Sequence, residues 1–173
     1  MDTELFFPPP AGLPVPVHPL RGKEETLRAL NALDWSQLGE DRTAELVRAG
    51  AFWLYGFLDE SHRLAQEIGS AEGSYWHALM HRSEGDFSNS KYWYRRVGRH
   101  AIFPGLRVAV ERLKVQGILK GTHSSLLAGH EWDPYRFVDA VERAASNQAE
   151  LELIGQIVRI EYGFLMEHCL KVS

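Results

Sequence analysis

The chain has one cysteine, Cys169, so no disulfide can form within it. That excludes the stapled frameworks of small secreted domains and fits a reducing compartment. Cys169 lies late in an apolar helical pattern and reads as a buried, inert thiol. Long apolar runs are also missing. A membrane-spanning helix needs about 18 or more consecutive apolar residues, and no such run occurs. The opening Met1-Asp2-Thr3-Glu4-Leu5 is acidic and lacks the basic start and apolar centre of a secretory signal. A cytoplasmic protein with no membrane contact is the expectation. Positive charge is not in excess, since the net charge is -4. A general nucleic-acid binder is therefore not expected.

Familiar catalytic patterns are absent as well. There is no phosphate-cradling glycine loop, no Gly-x-Ser-x-Gly elbow, no His-Glu-x-x-His and no cysteine cluster. Ser124 and Ser125 beside His123 are the only nucleophilic grouping, and they read as a flexible loop. Strand patterns are nearly absent too.

Proline is concentrated where helix is excluded. Six of the eight prolines fall between positions 6 and 19, so residues 1–20 read as an extended arm. Phe6, Phe7, Val15 and Val17 give that arm apolar anchors. It is expected to dock on the body or to pair with a second copy in a homodimer. Residues 21–173 are enough for one domain with a real core.

Helical periodicity fills that domain. The patterns predict helices over 23–33, 42–68, 74–84, 88–98, 106–119 and 149–171. Gly121 is read as a stop and 120–132 as a loop. Asp133-Pro134 opens a further helix, because Asp caps and Pro suits the first helical position. The fold class is all-α, an irregular multi-helix bundle with short connections.

The densest segment is Tyr75-Trp76-His77-Ala78-Leu79-Met80-His81-Arg82-Ser83-Glu84-Gly85-Asp86-Phe87, continued by Ser88-Asn89-Ser90-Lys91-Tyr92-Trp93-Tyr94-Arg95-Arg96-Val97-Gly98. Residues 74–97 resemble one tetratricopeptide-type helix pair. Gly85-Asp86-Phe87 stands at the Gly-Asp-Tyr turn, Ala78 and Ser90 at the close-approach positions, and Tyr94 and Val97 at packing positions. The longer run from His62 to Gly98 resembles a family of uncharacterised all-helical proteins of bacteria and fungi. That resemblance implies a helical fold and carries no activity and no catalytic residue.

Two polar stripes stand out. Tyr55, Asp59, His62 and Gln66 are spaced 4, 3 and 4, and His77, His81 and Glu84 are spaced 4 and 3. Each set lies on one face of a helix. A turn near 69–73 would bring His62 and His77 to similar depth. Two readings follow. In the first, the protein is a non-enzymatic binding module for a small anionic ligand or partner. His62, His77, His81, Arg82, Lys91, Arg95 and Arg96 would then surround it, with Trp76, Tyr92 and Trp93 as flat walls. In the second, His62, His77, His81, Asp59 and Glu84 hold a divalent metal such as Zn or Fe and the protein is a metal-dependent enzyme. Glu161 would add a ligand or an orienting partner.

Overall fold

The computed structural model describes residues 6–9, 22–39, 41–118 and 125–171. Among these residues the chain is all-helical and has no strand. Eight α-helices follow in order: α1 (Glu24–Ala32), α2 (Asp41–Leu54), α3 (Leu58–Ala65), α4 (Ala71–Glu84), α5 (Phe87–Val97), α6 (Phe103–Val115), α7 (Pro134–Ala144) and α8 (Gln148–Lys171). A 3-10 turn over Trp35–Leu38 joins α1 to α2. No helix among the described residues is long and apolar enough to cross a membrane.

A continuous helix over 42–68 does not form. Gly56 takes a left-handed backbone at φ 75°. Its N–H bonds to the Trp53 carbonyl, and the Phe57 N–H reaches back to the Phe52 carbonyl, both at 2.9 Å. This paired closure ends a helix and satisfies its last carbonyls. The apolar run therefore becomes α2, and a short α3 leaves it at a new angle. Tyr55 falls in the break, and Asp59 opens α3 in an exposed position.

Other boundaries follow local chemistry. Asp133 Oδ1 accepts from the N–H groups of Tyr135 and Arg136, at 2.9 and 3.2 Å, and starts α7 as expected. Ser70 caps α4 and Asp86 caps α5. α6 starts earlier than its apolar stripe, because Pro104 fits the first turn. Gly85, at φ 82°, lets α4 turn straight into α5. The two helices run antiparallel, with Ser90 Oγ donating to the Ala78 carbonyl at 2.8 Å. Small side chains at this crossing allow that approach. Gly121, His123 and Ser124 lie outside the described residues.

α2, α4 and α8 meet at an aromatic centre. Trp53 stacks on Tyr162 with ring centroids 5.7 Å apart, and Trp76 lies 5.8 Å from Tyr162. Gly50 lets α2 approach α4: a Cβ there would sit 2.5 Å from the Trp76 ring. The first described residues dock on this body. Phe6 is fully buried and stacks on Trp35, its carbonyl accepts from the Tyr162 hydroxyl at 2.8 Å, and the Pro9 carbonyl accepts from Arg159. The rest of the arm, with Val15 and Val17, lies outside the described residues.

A candidate metal centre between α3 and α4

His62 belongs to α3, and His77 and His81 stand one turn apart on α4. Ser70 fixes the start of α4, and His62 and His77 lie at nearly equal sequence distances on either side of it. The packing of α3 on α4 brings the three rings together. Ring centroids are 4.5 Å apart for His62–His77, 5.6 Å for His62–His81 and 4.9 Å for His77–His81. One donor nitrogen from each ring lies within 4.8 Å of the others.

α5 supplies the cover. Trp93 lies flat on His77, with centroids 3.7 Å apart and planes 14° from parallel. The Arg96 guanidinium sits over the outer face of Trp93, 5.1 Å from its centroid. His77 is 3% exposed, and its Nδ1 is buried with no hydrogen-bond partner. Burial, then the neighbouring His62 and His81, then Arg96, push its pKa down to about 3. His81 is also shifted down, by burial first, although Glu84 works in the opposite direction. Both rings are therefore neutral at pH 7, the form that ligates metal.

Glu84 and Asn89 set the orientation of His81. Glu84 Oε2 lies 3.2 Å from His81 Nδ1, and Asn89 Nδ2 lies 3.1 Å from Nε2. With Nδ1 donating to Glu84, Nε2 carries the lone pair and accepts from Asn89. Glu84 thus orients His81 and lies outside the group of three imidazoles. Asp59 is exposed and outside the cluster. Asn89 gave no signal in sequence, since an amide between Ser88 and Ser90 reads as a helix start.

Other expected site residues are elsewhere. Arg82 is 2% exposed and turned to the opposite side of α4. Its Nη2 donates to Glu161 Oε2 at 2.5 Å, and the hydroxyls of Tyr75 and Tyr94 donate to Glu161 Oε1 at 3.0 Å. The guanidinium also stacks over Phe137. Arg82 cannot reach an external anion, and Glu161 is committed to this separate network rather than to the histidines. Trp76 is fully buried in the aromatic centre, against Trp53 and Tyr162. Lys91 pairs with Asp139 at 2.5 Å. Tyr92, Arg95 and Arg96 are exposed on α5, with Arg95 over Tyr92.

Comparison with protein-family models, curated proteins and solved structures gives no match.

Proposed function

We propose that this protein binds a divalent transition metal through His62, His77 and His81, and that the metal offers its remaining position to water or a small anion. The observation that carries the reading is the buried, unpartnered Nδ1 of His77 beside two further imidazoles. A buried polar nitrogen without a partner costs about 1–3 kcal/mol, and a metal removes that penalty. Three imidazoles suit Zn, Cu, Ni or Fe. A tetrahedral zinc has Zn–N bonds of about 2.0–2.1 Å, which holds its nitrogens about 3.4 Å apart. Binding brings the three nitrogens, already within 4.8 Å of one another, to that spacing and moves the Asn89 amide off His81 Nε2.

Arg96 selects the charge of the fourth ligand. Its guanidinium covers Trp93 and its field reaches His77, so an anion there is favoured. The anion-binding and metal-binding readings of the sequence merge in this form. In this form the metal holds the anion and the Arg96 charge acts on it from beyond Trp93, with no part for Arg82 or Trp76.

The test is calorimetric titration of metal-stripped, untagged protein with Zn(II). Wild type is expected to bind an equivalent that His62→Ala loses while keeping its helical circular dichroism. His62 is the half-buried member, so its removal spares the core. An isotherm for folded His62→Ala identical to that of wild type would overturn the proposal. Hydrolysis is the second reading, favoured by the same open position, where a metal acidifies bound water. Metal-dependent turnover of an ester or phosphoester, abolished in His62→Ala, would establish it.

A further inference from the structure

A second cluster of metal-ligating side chains stands apart from the first. Glu72 lies in the first turn of α4, His100 in the connection between α5 and α6, and His168 in the last turn of α8. Glu72 and His77 are five positions apart on α4, so they point about 140° away from each other around its axis. His168 Nε2 is 3.2 Å from Glu72 Oε1, and His100 Nε2 is 3.8 Å from the same oxygen. The two rings are 4.9 Å apart between centroids. One donor atom from each of the three residues falls within 4.8 Å of the others.

A simple ion pair between Glu72 and His168 does not account for His100. Its side chain is 2% exposed, and its Nε2 is buried without a hydrogen-bond partner. At 3.8 Å the carboxylate is beyond hydrogen-bond range. Nδ1 accepts the Ile102 N–H at 3.4 Å, a long bond that must give way if Nε2 is to lose its proton to a metal. The imidazole is therefore held against Tyr75 and Phe103 with its outer nitrogen aimed at an acidic oxygen it does not bond. A cation between the three groups would satisfy all of them.

We propose that Glu72, His100 and His168 form a second divalent-metal site. Two imidazoles and one carboxylate are the donor set of non-haem Fe(II) centres and also suit Zn(II). This set covers one side of the ion and leaves positions for an exogenous ligand. His100 also lines a small surface cleft with Phe103, Pro104, His130 and Trp132. Trp132 Nε1 is buried there without a partner. The cleft borders the His100 ring and does not include Glu72 or His168.

The site is independent of the histidine cluster on α3 and α4, and either can fail alone. The experiment uses untagged, metal-stripped full chain, titrated with Zn(II) and, without oxygen, with Fe(II). Wild type is expected to retain two equivalents after desalting. His168→Ala and Glu72→Gln each reduce this to one, and His62→Ala removes the other. Glu72→Gln keeps the shape and loses only the charge, so a drop of at least tenfold in affinity is expected without unfolding. Wild type also needs no substitution for a second readout: Co(II) should broaden the ring proton signals of His100 and His168. Unchanged stoichiometry in folded Glu72→Gln, or unaffected His100 and His168 signals, would overturn the proposal.

Discussion

Arg82 and Glu161 are 79 positions apart in sequence and meet at 2.5 Å with both side chains shielded from water. Burial works against the guanidinium's charge, and Glu161 beside it more than offsets this. Removing one partner leaves the other charged and buried. Glu161→Leu is expected to destabilise the fold by about 3–5 kcal/mol, read from urea unfolding. Joint replacement by Arg82→Met, Glu161→Leu, Tyr75→Phe and Tyr94→Phe removes every polar member at once. It should recover most of that loss. A quadruple variant no more stable than Glu161→Leu alone would show that the network does more than neutralise itself.

Gly50 and Gly163 make a matched pair. Alanine favours a helix interior over glycine by about 1 kcal/mol. At Gly50 the new methyl meets the Trp76 ring at 2.5 Å and Met166 Cε at 2.7 Å, and overpacking of this kind costs about 1–3 kcal/mol. Trp76 is fully enclosed and cannot yield, so Gly50→Ala should be destabilising. At Gly163 nothing lies within 4 Å, so Gly163→Ala should stabilise by about 0.5–1 kcal/mol. Denaturation midpoints moving in the same direction for both would contradict the packing described.

Tyr94 and Tyr162 predict the alkaline limit of stability. Burial holds both phenols well above their ordinary value of 10, with Glu161 adding to the effect on Tyr94 and Tyr55 to that on Tyr162. The folded state keeps protons that the unfolded chain releases above that value. Stability is thus intact below pH 10 and falls as pH rises beyond it. Ultraviolet titration should show three phenols, those of Tyr94, Tyr162 and the equally buried Tyr75, that ionise only together with unfolding. Smooth ionisation of every tyrosine in the folded protein would refute this.

Asn89 competes with the metal proposed for the three-histidine site. Its amide occupies His81 Nε2, and a typical hydrogen bond contributes about 0.5–1.5 kcal/mol net. Asn89→Ala should tighten Zn(II) binding about 2- to 10-fold. Only the backbone N–H of Asn89 bonds to the Asp86 cap, so the start of α5 survives the change. Weaker binding in the variant would mean that the amide supports the site.

What the sequence could reveal was chemistry confined to a few neighbouring residues. Asp133-Pro134 marks α7 because a cap and a first-turn proline act within one turn. The Gly85 hairpin is legible for the same reason. Gly56 was obscured, since apolar residues on both sides favour continuing the helix and only the closing hydrogen bonds reveal the break. Spacing placed His77 and His81 on one stripe. It set Arg82, one residue further, about 100° around the helix, but only packing shows that this direction leads to the buried Glu161. Arg82 and Trp76 accordingly turn inward, away from the basic surface their neighbours suggested. Glu72, His100 and His168 share no spacing, because three separate elements carry them and only packing joins them.

The hydrogen bond from Tyr162 to the carbonyl of Phe6 spans 156 positions. During synthesis Phe6 is made long before Tyr162. Its carbonyl therefore waits for this donor until α8 has been translated, and a residue made early is among the later ones to settle.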